Sequence, residues 1–255
     1  MLITDKFVFI HQPKTGGTFV AQVLNKLHWG RRLSRFVARA PMKLSGKKVK
    51  WHQTCNEIPE SERGKQIISI VRNPYERYIS NYYYRNWGMH PERWPSNIID
   101  ELKALYPHFP EVSFDEFVNF ANTHLIKRHL KVPPDKTNLG LCSWDFVRFY
   151  FKNPDDVCTI IDDAYIEQKK YREDMYNIHF LRTENLNQDL YNFLLSMGYP
   201  DRKIRFIQNL DKIQPKSQGK ERPNSDWKSY FTPELKKIVR TKEKFILSLF
   251  PEYDI

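Results

Sequence analysis

One short loop near the N terminus, residues 13–18, carries side chains well suited to binding an anion. After Pro13 come a lysine, two threonines and two glycines: Lys14, Thr15, Gly16, Gly17 and Thr18. The glycines allow a tight turn and a close approach of the backbone to a ligand. The ammonium group and the two hydroxyls can form charge-assisted hydrogen bonds, which suit a phosphate or sulfate group. We therefore predict an anion-binding site here and call this segment the anion loop.

The elements on either side of the anion loop should hold it in place. Residues 7–10 form a continuous apolar run, as expected of a strand buried on both faces of a parallel sheet. Apolar residues then recur at helical spacing from Phe19 to Leu27, so a helix should begin at the loop and direct its first N–H groups at the anion. The lysine precedes the glycine pair, so the nucleotide triphosphatase loop is not matched. Taken alone, the motif also fits an ordinary glycine turn.

A second group of polar residues follows a later apolar run. Gln66–Val71 has the composition of another buried strand, and Arg72 comes directly after it. Asn73 and Pro74 are residue types preferred at the N-cap and first position of a helix, which places Ser80 on the helix that follows. Ligands of open α/β sheets bind at the carboxyl ends of the strands, where Arg72 should lie. An arginine at a strand end can also be a surface ion-pair partner, but beside the anion loop it indicates a binding site.

These two elements resemble the signatures of the sulfotransferases that use 3′-phosphoadenosine 5′-phosphosulfate (PAPS), namely PKTGGT after the first strand and R-x7-S after a later strand. The resemblance implies that the anion loop holds the 5′-phosphosulfate and that Arg72 and Ser80 hold the 3′-phosphate. Segments 179–190 and 219–223 are also similar to the family, and the second implies a basic loop that closes over the nucleotide. The nucleotide-binding residues implied in this way are Lys14, Thr15, Gly16, Gly17, Thr18, Phe19, Arg72, Ser80, Lys220 and Arg222.

The resemblance and the order of the predicted elements agree on the fold class. Strands that alternate with helices predict an α/β protein, here a three-layer P-loop-like fold with a central parallel sheet flanked by helices. Further patterns predict strands at 49–54 and 176–181, a helix at 185–197 that ends at Gly198, and a last helix at 233–249. A chain of 255 residues suits a single α/β domain with insertions. The resemblance implies one sulfotransferase domain over 1–255, within which 85–175 should form a helical insertion on the acceptor side.

Charge and cysteine content limit the class of protein further. The chain carries 41 lysines and arginines against 30 aspartates and glutamates, a net charge of +11, which favours an anionic partner. Its three cysteines lack C-x-x-C spacing, so a disulfide framework or zinc site is not expected, and a reducing compartment is the simpler interpretation.

The first strand begins almost at the N terminus, and no apolar run reaches the roughly 20 residues that span a bilayer. We therefore expect a cytoplasmic, bacterial enzyme without a signal peptide or transmembrane segment, although a chain trimmed of an anchor would give the same pattern.

The resemblance implies an enzyme that moves a sulfuryl group from PAPS, its co-substrate, to an acceptor hydroxyl, with 3′-phosphoadenosine 5′-phosphate (PAP) as product. The chain is more similar to the carbohydrate branch of the family, which includes heparan sulfate enzymes, than to the phenol and steroid branch. A carbohydrate or polysaccharide acceptor is therefore expected. The sequence shows no cluster with metal-ligand spacing, and a sulfuryl group carries less charge than a phosphoryl group, so no metal should be needed. The oligomeric state is left open.

Two catalytic roles are expected. Lys14 should stabilise the charge that develops on the leaving oxygen, together with backbone N–H groups of the loop. The acceptor hydroxyl must also lose a proton to a general base. His52 is the candidate base, because it lies between the first helix and the second strand, where the carbohydrate enzymes place an acceptor-side base, and an imidazole has a suitable pKa. Glu57, Glu60 and His11 are the alternatives that the sequence leaves open.

Two other classes of protein share some of these features. A nucleotide-dependent kinase would share the anion loop, but the position of the lysine and the absence of a convincing Walker B pattern, an apolar run that ends in aspartate, count against it. A basic nucleic-acid-binding protein would account for the charge. It would not account for a phosphate loop combined with a strand-end arginine and a helix serine, so no nucleic-acid partner is expected.

Overall fold

The described part of the chain alternates short strands with helices. A computed structural model describes residues 1–28, 43–44, 47–48, 52–90, 96–126, 137–211 and 226–255. Its strands are β1 (Leu2–Ile3), β2 (Phe7–Phe9), β3 (Lys43–Leu44), β4 (Lys47–Lys48), β5 (Gln66–Val71) and β6 (Ile178–Arg182). Its α-helices are α1 (Gly17–His28), α2 (Pro74–Tyr84), α3 (Asn86–Met89), α4 (Ser96–Leu105), α5 (Phe114–Phe120), α6 (Leu141–Tyr150), α7 (Pro154–Val157), α8 (Asp163–Glu167), α9 (Tyr171–Asp174), α10 (Leu186–Ser196), α11 (Asp201–Ile204), α12 (Pro233–Lys242) and α13 (Lys244–Leu249). Shorter 3₁₀ turns lie at Cys55–Glu57, Glu60–Glu62, Thr183–Asn185, Arg205–Asn209, Trp227–Tyr230 and Pro251–Tyr253, and a π-helical turn lies at Ala121–Leu125.

The chain divides into two compact units. They consist of Met1–Arg72 with Tyr176–Lys216, and of Asn73–Met175 with Ser217–Ile255. The first unit carries the central sheet and the anion loop. The second is mostly helical where it is described and includes the predicted insertion at 85–175. That the whole chain forms one sulfotransferase domain stays a prediction.

The central sheet of the first unit is mostly parallel and has the strand order β1-β2-β5-β6. β5 pairs in parallel with both β2 and β6, while β1 pairs with β2 in antiparallel register. The link from β1 to β2 consists of Thr4, Asp5 and Lys6, and so short a link allows a hairpin but no parallel crossover. The α/β class with flanking helices is confirmed, with the correction that the sheet carries an antiparallel edge strand.

Both faces of this sheet are buried at β2 and β5, as the continuous apolar sequences of these strands predict. One face contributes Phe7, Phe9, Ile68, Ile70 and Leu181 to a core shared with α1 and α10. The alternate residues Val8, Ile67, Ser69 and Val71 are buried as well. The helices add Phe19, Val20, Val23, Leu24, Leu186, Leu190, Phe193 and Leu194 to the core. Because α1 is packed on the sheet along its apolar stripe, the start of this helix, and the loop before it, has a defined position.

All but one of the predicted strands are recovered, with small shifts of their ends. The strand at Gln66–Val71 is confirmed over its full length, and the third predicted strand lies at Ile178–Arg182. The strand predicted at 49–54 is wrong for residues 52–54, which precede a 3₁₀ turn, while residues 49–51 lie outside the described residues. Gly198 follows α10 with φ 74°, as predicted for a residue that ends a helix in the left-handed conformation.

Three helix starts in the second unit have side-chain caps, including the one that the sequence predicts at Asn73. The side chain of Asn73 accepts a backbone N–H of α2 at 3.0 Å. Ser113 and Glu116 form a reciprocal capping box at α5, with distances of 3.2 and 2.7 Å. Thr232 accepts a backbone N–H of α12 at 3.2 Å. Caps of this kind are recognisable in a sequence because a cap depends on residues within one helical turn.

The predicted last helix is wrong in one respect, because it is broken into α12 and α13 at Glu243. This residue is fully buried, and its carboxylate accepts the N–H groups of Cys142 at 2.9 Å and Ser143 at 2.7 Å in the first turn of α6. A carboxylate in this position satisfies helix N–H groups that lack intrahelical partners. Gly140 leaves the space for it, since a Cβ there would overlap the carboxylate. The break therefore coincides with a buried contact between two helices of the second unit.

Three further findings concern cysteines, membranes and metals. Cys55, Cys142 and Cys158 are free thiols in buried positions. Among the helices described, none combines the length and the apolar character that crossing a bilayer requires. Within the described ranges, no group of three or more His, Cys, Asp or Glu side chains is arranged to hold a metal ion.

Candidate active site

The anion loop lies at the edge of the sheet where the parallel strands end. The chain leaves β2 at Phe9 and enters α1 at Gly17, so the loop joins a strand to a helix as predicted. Arg72 directly follows β5, and Thr183 directly follows β6. Because β2, β5 and β6 run parallel, their carboxyl ends share one edge, which is the usual place for a ligand in an open α/β sheet.

The backbone of the anion loop has an uncommon conformation. Lys14 has φ 65° and Gly16 has φ 96°, so two left-handed residues flank Thr15. For a lysine this conformation costs about 1–2 kcal/mol, which other contacts must offset. Loops with such alternation can direct successive backbone N–H groups toward a common point and form an anion-binding concavity. The strain at Lys14 therefore indicates a loop shaped for a ligand.

Hydrogen bonds from the ends of two neighbouring strands hold this conformation. The Arg72 guanidinium donates from Nη1 to the carbonyl oxygen of Lys14 at 3.3 Å. The Thr183 hydroxyl lies 2.8 Å from the carbonyl oxygen of Thr15 and 3.0 Å from that of Val71. Inside the loop, the Thr15 hydroxyl donates to the Gln12 carbonyl at 3.0 Å, so it faces the protein. The loop is thus attached to β5 and β6 through consecutive carbonyl groups.

Lys14 and Arg72 bring two positive charges to the same place. Lys14 is half-buried, and burial together with the charge of Arg72 lowers the pKa of its ammonium group to about 7. Both causes act because the protonated lysine loses hydration and is repelled by a second cation. A bound anion would reverse the second effect. The site therefore has the electrostatic character of a receptor for a phosphate or sulfate group.

Gly17 permits close packing between the start of α1 and His11. A Cβ on Gly17 would overlap the imidazole ring of His11, so a larger residue would displace either the ring or the helix. His11 is buried, and burial together with the neighbouring His52 lowers its pKa to about 3. His11 is therefore neutral at physiological pH and is a weak base.

His52 lies beside the segment that leads into the anion loop. Its Nδ1 atom is 3.1 Å from the carbonyl oxygen of His11, and the two imidazole rings meet edge to face with centroids 5.0 Å apart. A carbonyl oxygen can accept a hydrogen bond but cannot donate one, so Nδ1 carries the proton. In the neutral ring the basic lone pair then belongs to Nε2. His52 is an exposed residue.

The other candidate bases have different environments. The Glu57 carboxylate accepts the backbone N–H of Thr54 at 2.9 Å, which gives it a structural role at the start of a 3₁₀ turn. Glu60 lies in the next 3₁₀ turn and is exposed. The buried position and low pKa of His11 make it a poor proton acceptor near neutral pH.

The remaining predicted site residues fall into three groups. The side chain of Phe19 is buried in the core, and its N–H donates to the Gly16 carbonyl at 3.0 Å. Thr18 lies in the first turn of α1, and Ser80 lies on α2 in the second unit, both half-buried. Lys220 and Arg222 lie outside the described residues.

Sequence reasoning missed Thr183 as a residue of the site. It belongs to a segment that resembles the family, yet no local motif indicates that its hydroxyl contacts the anion loop. The available signal is its position directly after a strand, as for Arg72. A polar residue at each of two neighbouring strand ends could have suggested that the two act at one place.

The first unit therefore has the architecture typical of α/β proteins that bind a phosphate or sulfate group at the carboxyl edge of a sheet. A family model described as Sulfotransferase family matches residues 3–244. The chain belongs to the sulfotransferase family, and the assignment made from the sequence is confirmed at the level of the family. No curated protein matches the chain. Among solved structures, it is similar to the mouse sulfotransferase SULT7A1 in complex with PAP, with 16% sequence identity, coverage of 92% of this chain and 82% of that chain, and a TM-score of 0.43.

Proposed function

We propose that this sulfotransferase moves a sulfuryl group from PAPS to an acceptor hydroxyl and releases PAP. The observation that carries the proposal is the meeting of Lys14 and Arg72 at the carboxyl edge of the sheet, where Arg72 also holds the backbone of the anion loop. Two cations at a strained loop fit a ligand with separate anionic groups. A nucleotide with a 5′-phosphosulfate and a 3′-phosphate has that character.

In the proposed complex, the anion loop from Lys14 to Thr18 binds the 5′-phosphosulfate. Arg72 and Ser80 bind the 3′-phosphate, together with Lys220 and Arg222 from outside the described residues. Transfer is in line, so the protein mainly positions the reactants and stabilises charge, as in phosphoryl transfer. Lys14 stabilises the oxygen that gains charge when its bond to sulfur breaks.

His52 is the proposed general base for the acceptor hydroxyl. The tautomer set by the His11 carbonyl supports this role, because it leaves the lone pair on Nε2. The environments of His11 and Glu57 make them weaker candidates. His52 then acts on the attacking oxygen, while Lys14 acts on the leaving oxygen.

We further propose a carbohydrate acceptor and a cytoplasmic location. The acceptor proposal is supported by the resemblance of the sequence to the carbohydrate branch of the family. The location is supported by three buried cysteines that remain thiols, which suits a reducing compartment.

The experiment that tests the activity is a screen with PAPS labelled in its sulfuryl group. Sugars, polysaccharides and phenols are offered as acceptors, and the label is followed into product. We expect transfer to at least one carbohydrate and formation of PAP. Transfer of phosphate from ATP to the same acceptors, with none of sulfate from PAPS, would instead support the kinase alternative.

Replacement of Arg72 by alanine should weaken PAP binding by on the order of 1.5 to 3 kcal/mol, because one charge-assisted hydrogen-bond partner is lost. Calorimetry should show that this variant binds PAP at least as weakly as the wild type binds AMP, which lacks the 3′-phosphate, because Arg72 also holds the Lys14 carbonyl of the anion loop. Arg205→Ala is a matched control, since Arg205 is an exposed cation of the same unit paired with Asp201 at 3.6 Å. Equal wild-type affinities for PAP and AMP would remove Arg72 from this role.

Turnover should survive removal of divalent metal ions. The proposed site stabilises charge with Lys14 and Arg72, and a sulfuryl group needs less compensation than a phosphoryl group. Initial rates with PAPS are compared before and after EDTA treatment and dialysis. Complete loss of activity that Mg²⁺ restores would contradict this prediction.

A further inference from the structure

Thr183 connects the anion loop to the central sheet. Its hydroxyl lies 2.8 Å from the Thr15 carbonyl oxygen and 3.0 Å from the Val71 carbonyl oxygen, so a single proton serves two acceptors. Val71 pairs with Arg182 in the β5–β6 ladder, and Thr183 is the next residue. The hydroxyl is therefore fixed to a rigid part of the first unit, while the carbonyl of Thr15 belongs to the loop.

The position of a carbonyl group determines the direction of the amide next to it. In a planar trans peptide, the C=O of one residue and the N–H of the following residue point in opposite directions. A hydrogen bond that holds the Thr15 carbonyl toward Thr183 thus turns the Gly16 N–H to the opposite side of the loop. Arg72 acts in the same way on the Lys14 carbonyl, which orients the Thr15 N–H.

We propose that Thr183 is a positioning residue that aims the Gly16 N–H at the 5′-phosphosulfate. The proposal rests on the proposed function, because it needs the anion loop to hold that group. Gly16 has φ 96° and can reorient more easily than other residues. The hydroxyl of Thr183 removes that freedom before the ligand binds, so less binding free energy is lost in ordering the loop.

Two substitutions separate the hydroxyl from the shape of the side chain. Thr183→Val keeps the branched shape but removes the hydroxyl. Thr183→Ser keeps the hydroxyl but loses the methyl group, whose carbon lies 3.8 Å from the place of a Cβ on Gly16. A role in packing would make serine the worse replacement, whereas a role in orientation makes valine the worse one.

The experiment is calorimetric titration of the full chain with PAP, AMP and adenosine 3′-monophosphate. We expect Thr183→Val to bind PAP and AMP about tenfold more weakly than the wild type, as for the loss of one hydrogen bond. Binding of adenosine 3′-monophosphate should change by less than about twofold, because the 3′-phosphate does not use the loop. Thr183→Ser should resemble the wild type with all three ligands. If the valine variant does not fold, Thr183→Ala provides a second hydroxyl-free protein with the same expected pattern.

The outcomes distinguish this inference from the proposed function. If the wild type binds no PAP, the proposed function is wrong and the inference fails with it. If the wild type binds PAP, and the valine variant binds PAP and AMP as tightly as the wild type does, the inference alone is overturned. Equal weakening of all three ligands would also overturn it, since a general disturbance of the unit would have that effect.

Discussion

His52→Ala should lower kcat by about 10² to 10⁴ while the affinity for PAP stays nearly unchanged. The substitution removes the proposed acceptor of the hydroxyl proton. It leaves Lys14 and Arg72, the proposed ligands of the nucleotide, in place. The hydrogen bond from His52 goes to the backbone carbonyl of His11, so its loss changes no side chain of the anion loop. Turnover is measured with an acceptor found in the screen, and PAP affinity by calorimetry.

Glu57→Gln is the matched control for this prediction. Its amide oxygen can still accept the Thr54 N–H that the carboxylate accepts at 2.9 Å, so the 3₁₀ turn should persist without the charge. We expect near-normal turnover for this variant. In the wild type, kcat/KM should fall on acidification as the base becomes protonated, and His52→Ala should lose that dependence. Normal turnover of His52→Ala together with a large loss in Glu57→Gln would assign the base to Glu57.

The elements that carry this site can be predicted from local patterns in the sequence. Gln66–Val71 is recognisable as a strand because a strand buried on both faces must be apolar at nearly every position. The helix after the anion loop is recognisable from its apolar stripe, of which Val20, Val23 and Leu24 are buried. Such patterns depend on residues a few positions apart, so one sequence is sufficient to find them.

The shape of the anion loop could not be predicted, because it depends on contacts between residues far apart in the chain. Thr183 is 168 residues from Thr15, and Arg72 is 58 residues from Lys14. A lysine rarely has a positive φ, and no neighbouring residue indicates that Lys14 does. The interruption of the last helix has the same origin, since Glu243 binds the N–H of Cys142, 101 residues earlier.

Lys14→Ala should lower kcat by about 10² to 10³, which is the typical effect of removing one donor that stabilises a developing negative charge. Unlike His52→Ala, this variant should also bind PAP more weakly, because the ammonium group contacts the ground-state ligand as well. Alanine experiences the same backbone strain as lysine at φ 65°, so the comparison isolates the side chain. Equal PAP affinity of the variant and the wild type would place the 5′-phosphate elsewhere.

The pH dependence of PAP binding gives a second measure of Lys14. Burial and Arg72 lower the pKa of Lys14 to about 7 in the unliganded protein, and a bound anion must raise it because it stabilises the charged form. Below pH 7 the lysine is already protonated, so it adds no pH dependence. Above pH 7 binding takes up a proton, and the affinity falls as the pH rises toward the higher pKa of the complex.

Calorimetry at pH 8 in two buffers of different ionisation enthalpy should therefore detect uptake of up to about one proton by the wild type. Lys14→Ala and Lys14→Arg should lack this uptake, because alanine carries no charge and arginine stays protonated at this pH. Equal uptake in all three proteins would assign the titrating group to a residue other than Lys14.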